Sequence, residues 1–137
     1  INEEDKEEFL LLVEQHKGVV GYKGVLQQDE VTAHLTNYDL MLLPTTIYTE
    51  GFPGSILDAY IAGIPVIATE WKHAHEFIED QKTGFIIPFG DSQKDFNDKV
   101  LSFYNDREML SRMKILAFQK RLQYSDQTAW SILSKYL

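Results

Sequence analysis

Two acidic residues, Glu50 and Asp58, bracket the run Gly51-Phe52-Pro53-Gly54-Ser55-Ile56-Leu57. An ionised carboxylate is a hydrogen-bond acceptor, so an acid at either position can take hydrogens from a ligand's donors. The glycines between them let the backbone approach a ligand closely. If Gly54 or Ser55 opens a helix, the N–H groups of Gly51, Phe52, Gly54, Ser55 and Ile56 face outward as donors, and the helix dipole favours an anion there. Glu50 lies at a strand-to-helix turn and has little structural reason to be acidic, which favours a functional role. Asp58 has a structural alternative. Ser55 and Asp58 stand at capping-box spacing, in which the acid bonds the backbone at the helix start. The two roles compete for one carboxylate.

These residues need elements to hold them. Leu40-Met41-Leu42-Leu43 is a continuous apolar run stopped by Pro44, and Val66-Ile67-Ala68 is another, started by Pro65. Such runs predict strands covered on both faces, and ligands of open α/β sheets bind beyond the carboxyl ends of their strands. Upstream, the acidic segment Asn2–Glu8 precedes the apolar Phe9–Val13, predicting a helix that stops near Gly18 with its acids solvated. Val19–Tyr22 with Gly24–Leu26 reads as a strand and its exit. A helix starting at Gln28 or Asp29 carries Val31, Leu35 and Tyr38 on one face. Downstream, Glu70–Ile78 reads as a loop entering a short helix, Asp80–Gly84 as a turn, and Phe85–Ile87 as a further short strand. Asp91 or Ser92 is the predicted N-cap of a helix bearing Phe96, Val100, Phe103 and Tyr104. Asp106 caps the next, striped with Leu110, Met113 and Ala117, and the tail from Asp126 sets Trp130, Leu133 and Leu137 at helical spacing. These three helices read as structural, with Trp130 in the core. From Val19 the order is β-α-β-α-β, which predicts an α/β fold: a three-layer, Rossmann-like parallel sheet with flanking helices.

The 137 residues and their apolar fraction of 44% fit one domain spanning 1–137. No apolar run approaches the ~20 residues of a membrane span, so a water-soluble protein is expected. The absence of cysteine excludes disulfides and thiolate chemistry and suits a cytoplasmic protein. A net charge of −8 argues against nucleic acid as a partner. His73 and His75, with Glu70 and Glu76 nearby, invite a metal reading. Their spacing shares a face only on a strand, so exposed loop residues and no metal are expected. The chain opens on Ile rather than Met, which suggests a piece of a longer polypeptide.

The stretch Glu50-Gly-Phe-Pro-Gly-Ser-Ile-Leu-Asp58-Ala, with Gly63-Ile-Pro65-Val-Ile-Ala-Thr69, resembles the signature of the family 4 retaining glycosyltransferases of the GT-B fold. Gly24-Val25 and Thr83-Gly84-Phe-Ile-Ile-Pro88-Phe-Gly-Asp91 extend the resemblance, and Trp71-Lys72 looks like a variant found in bacterial capsule and exopolysaccharide enzymes. The resemblance implies the C-terminal, nucleotide-sugar-binding domain with its first strands and its acceptor-binding domain lying upstream. It implies a nucleoside-diphosphate sugar as donor, no metal, and a saccharide or lipid-linked acceptor at a growing surface polysaccharide. Glu50 would contact the donor sugar or stabilise developing positive charge. Gly51, Phe52, Gly54, Ser55 and Ile56 would cradle the diphosphate, Asp58 would hold the ribose, Val25 and Leu26 would line the base, and Lys72, which replaces a glycine of the family, would lend positive charge to a phosphate. Asp58 is one methylene shorter than the usual glutamate, and Pro53 removes a donor. The cationic pair expected against the diphosphate is absent, since no Arg precedes Arg107. The isolated chain is therefore expected to bind weakly and not to transfer a sugar, and an open sheet edge is expected to favour a homodimer. The location implied is cytoplasmic, with the parent peripheral at the inner face of the membrane. Two rivals are a sugar-nucleotide epimerase of the same fold and a non-catalytic module that self-associates.

Overall fold

Pro65 starts a strand because it presets an extended entry, and the four apolar or β-branched residues after it have no polar face to turn to water. A computed structural model, which describes residues 3–90 and 93–137, places this strand at the centre of the chain. Three strands form a parallel sheet in the order β1 (Met41–Leu43), β2 (Val66–Thr69), β3 (Gly84–Ile87). Every residue of β2 is buried, worth about 1.5–3 kcal/mol for each of Val66 and Ile67.

The two-residue period of the strands sorts their side chains between two cores. Val66 and Ala68 point to one face, where they meet Ile56, Ala59 and Tyr60 of α3 (Gly54–Ile61), with Leu35 of α2 (Gln28–Leu35) behind. Ile67, Phe85 and Ile87 point to the other, against Phe96 and Phe103 of α5 (Gln93–Asn105). The next helix, α6 (Arg107–Lys120), supplies Ala117 to the first core and Leu110 and Met113 to the second. Helices thus cover both faces of a parallel sheet, the expected three-layer α/β architecture.

Local signals account for most of the boundaries. The Asp106 carboxylate accepts from the Met109 N–H at 2.8 Å, capping α6 as expected. Gly63 ends α3 at φ +70°, a left-handed position that follows the C-cap Ala62. Gly84 faces the Val66 backbone so closely that a Cβ would strike the Val66 carbonyl. The helix α1 (Glu3–Gln15) ends before Gly18, and Glu30 accepts from the Gln27 N–H to open α2. A short helix α4 (Ala74–Phe77) precedes β3, a 3₁₀ turn spans Arg121–Tyr124, and α7 (Asp126–Leu133) follows it.

Four expectations fail. No strand forms over Val19–Leu26, and Val25 is 88% exposed. A strand is held by the hydrogen bonds of a neighbour, and this segment pairs with none of the described strands, which leaves the outer edge of β1 unpaired. For the same reason β1 is an edge strand, and Leu42 is 47% exposed rather than covered on both faces. In α5, Phe96 and Phe103 are buried but Tyr104 is exposed. In the tail, Trp130, Leu133 and Leu137 are exposed, Trp130 at 64%, because helical spacing identifies an apolar face without saying what covers it. The predicted cap at Asp91 or Ser92 lies outside the described residues. No helix among the described residues is long and apolar enough to cross a membrane.

Candidate functional site

The chain leaves β1 at Pro44, crosses a loop to Pro53, and enters α3, so the loop sits at the carboxyl end of the sheet. Pro53 is the N-cap of α3 in an extended conformation, φ −66° and ψ 116°. Proline has no side-chain acceptor, so this helix start has no side-chain cap. Ile56 donates its N–H to the Pro53 carbonyl at 3.0 Å. Among the described residues, the N–H groups of Gly51, Phe52, Gly54 and Ser55 have no hydrogen-bond partner. Gly51 and Gly54 are exposed, and a Cβ at either would meet nothing. The result is an accessible set of backbone donors with the positive end of a helix dipole behind it.

Glu50 stands at the edge of these donors, partly buried. Its Oε2 accepts from the Thr45 hydroxyl at 3.1 Å. Its N–H donates to the Ile47 carbonyl at 3.3 Å. Thr69, at the end of β2, donates its hydroxyl to the Thr45 carbonyl at 2.6 Å. Neither threonine was singled out from the sequence. A signal was present: Thr69 ends a wholly buried strand, where a hydroxyl must find a partner.

Asp58 is the fifth residue of α3, well past the first turn, so the capping-box reading fails. Its carboxylate has no hydrogen-bond partner among the described residues. The Phe52 ring turns away from the donors to stack on Phe77 at 4.4 Å and Tyr124 at 4.9 Å, with the buried Trp71 lying parallel to Phe77 at 6.4 Å. The Phe52 side chain therefore anchors the turn. Lys72 donates its N–H to the Tyr48 carbonyl at 2.9 Å, which ties the loop after β2 to the Glu50 loop, and its side chain is exposed with no ion pair among the described residues. Ser55 and Ile56 lie in the first turn of α3; Ile56 is buried and its N–H is taken by the Pro53 carbonyl, so the expectation that it serves as a ligand donor fails. Leu26 is half-buried, while Val25 stands in the exposed segment before α2.

The histidines divide into two pairs. His73 lies 2.7 Å from Glu76, and His75 lies 3.1 Å from Glu70. Among the described residues, no group of three His, Cys, Asp or Glu side chains could hold a metal ion. A cavity of about 380 Å³ opens beside the loop, lined by Leu42, Pro44, Thr45, Thr46, Thr69 and Phe96 among others.

The family of glycosyl transferases group 1 matches residues 2–106. This chain belongs to that family. Within it, the amylovoran biosynthesis glycosyltransferase AmsK of Erwinia amylovora is 33% identical over 79 residues, 55% of this chain and 19% of AmsK. The N,N'-diacetylbacillosaminyl-diphospho-undecaprenol alpha-1,3-N-acetylgalactosaminyltransferase of Campylobacter jejuni is 27% identical over 122 residues, 89% of this chain and 30% of that protein. The pneumococcal O-GlcNAc transferase GtfA, solved with UDP and GlcNAc, superposes with a TM-score of 0.78 over 98% of this chain and 27% of that one, at 19% identity, and so shares the fold. The chain thus spans less than a third of the length of each of these glycosyltransferases.

Proposed function

We propose that this chain provides the donor half of a glycosyltransferase that moves a sugar from a nucleoside diphosphate to a saccharide or lipid-linked acceptor during bacterial surface-polysaccharide synthesis. One observation carries the reading: the unpaired N–H donors at the start of α3 adjoin a partly buried carboxylate at the carboxyl end of a parallel sheet. That combination suits a ligand that is anionic on one side and hydroxylated on the other. A hydrogen bond to a charged group contributes about 1.5–3 kcal/mol, so each of these donors adds measurably to the hold on a diphosphate.

In this reading Gly51, Phe52, Gly54 and Ser55 cradle the diphosphate, with Lys72 adding charge from the neighbouring loop. Glu50 contacts the sugar hydroxyls or the positive charge that develops as the glycosidic bond breaks. Asp58, free of any capping duty, holds the ribose, and Leu26 with Val25 lines the base. Transfer retains the anomeric configuration. The acceptor oxygen attacks the anomeric carbon on the face from which the diphosphate leaves, and a β-phosphate oxygen of the leaving group takes the acceptor proton. This chemistry invokes no metal ion and no general base from these residues. The acceptor site lies elsewhere in the polypeptide, and the reaction is placed in the cytoplasm, at the inner face of the membrane. Support for the partners comes from relatives: GtfA was solved with UDP, and the Campylobacter enzyme is named for a diphospho-undecaprenol acceptor.

The test is to offer the full-length protein a panel of UDP- and GDP-sugars and measure release of nucleoside diphosphate. Release from at least one donor, lost in Glu50→Ala, is expected. No release from any donor would overturn the reading.

A further inference from the structure

A hydroxyl has one proton to give and two lone pairs to offer, and the Thr45 hydroxyl has both kinds of partner. It accepts from the Ile47 N–H at 3.1 Å. Its proton is directed to Glu50 Oε2, 3.1 Å away. The Ile47 contact thus fixes the rotation of the hydroxyl, and the hydroxyl fixes one oxygen of the carboxylate. Oε1 of Glu50 has no partner among the described residues. From the neighbouring strand, the Thr69 hydroxyl, 4% exposed as a residue, clamps the Thr45 carbonyl at 2.6 Å. Three residues from two strand ends therefore hold Glu50 in one orientation while leaving half of its accepting capacity free.

We propose that Thr45 is a positioning residue for Glu50, oriented by the Ile47 N–H and braced by Thr69, so that Oε1 is presented to the hydroxyls of the donor sugar. The inference rests on the donor-binding reading above and adds to it which oxygen faces the sugar and what holds it there. The hydroxyl acts only through Glu50. Its loss frees the carboxylate to rotate and weakens recognition of the sugar, while the backbone donors at α3, which seat the diphosphate, keep their places.

The distinction sets the experiment. In the full-length protein, Thr45→Val removes the hydroxyl and keeps the shape, whereas Thr45→Ser keeps the hydroxyl. Thr45→Val should lower kcat/KM for the nucleotide sugar by about tenfold or more, on the scale of a lost hydrogen bond to a charged group. Affinity for UDP or GDP alone, which carries no sugar, should stay within about threefold on the scale of a tenfold per 1.4 kcal/mol. Thr45→Ser should restore turnover, and Thr69→Val should show a smaller loss of the same kind. Crystals of Thr45→Val should show the Glu50 carboxylate reoriented. Unchanged turnover in Thr45→Val would overturn the proposal, as would equal losses of UDP and nucleotide-sugar binding or a failure of Thr45→Ser to rescue. If the wild-type protein accepted no nucleotide sugar, the donor reading would fall, and the Glu50 orientation in Thr45→Val would still decide whether Thr45 positions it.

Discussion

The Glu50 carboxylate is held by one hydroxyl and the Asp58 carboxylate by none among the described residues, which separates the effects expected of their substitution. A capping acid costs about 1 kcal/mol when removed. Asp58 caps nothing, and alanine is the better helix former at a mid-helix site. Asp58→Ala should therefore unfold at the wild-type temperature or slightly above it, while its affinity for UDP or GDP falls by about tenfold, read by calorimetry. A clear loss of thermal stability would return Asp58 to a structural role. Glu79 illustrates the opposite case. The Lys120 ammonium, 2.7 Å away and nearly buried, holds the Glu79 carboxyl below its ordinary range. A depressed folded pKa stabilises the fold above the unfolded value of about 4.3, and that contribution is lost as pH falls through the folded value. Urea unfolding across pH 7 to 3 should show a smaller acid loss in Glu79→Gln than in wild type. Because Glu79 is 39% exposed, the difference should be modest.

At the scale of elements, β2 and β3 are set by small residues as much as by large ones. A Cβ on Gly84 would collide with the Val66 carbonyl, so β3 would have to shift away from β2 and weaken their hydrogen bonds. Gly84→Ala should destabilise the domain by about 3 kcal/mol or more, seen as a lowered urea midpoint; a midpoint within error of wild type would mean that β3 can slide. Elements whose partners lie within the described chain were legible from sequence. The β2 run, the cap at Asp106 and the stripe of Leu110, Met113 and Ala117 all appear where apolar periodicity and local capping place them. Elements that depend on something outside it were not. Val19–Leu26 has strand-forming residues but pairs with no described strand, and Trp130 lies on an apolar face that no described element covers. Within the site, the Gly51–Ser55 turn was legible because glycine and proline have few other reasons to cluster. The Thr45 and Thr69 hydroxyls were not, because 24 residues separate the two and only the parallel pairing of β1 with β2 brings them together.

At the scale of the whole molecule, the chain spans less than a third of the length of the glycosyltransferases it resembles, and several of its apolar faces are uncovered among the described residues. Leu42 at the sheet edge, Phe9 to Leu12 on α1, and Trp130, Ile132 and Leu133 on α7 remain exposed. No arginine precedes Arg107, and Lys72 is the lysine nearest in sequence to the α3 turn. The curated relatives are three to five times as long as this chain's match to them. The central claim is that the turn from Glu50 to Asp58 binds the donor, and calorimetric titration of the full-length protein with UDP and GDP, beside the Glu50→Ala, Asp58→Ala double variant, tests it most directly. The account predicts saturable binding of one nucleotide that weakens by at least about tenfold in the folded double variant, the scale of one lost charged hydrogen bond. Binding of equal strength in both proteins would contradict it.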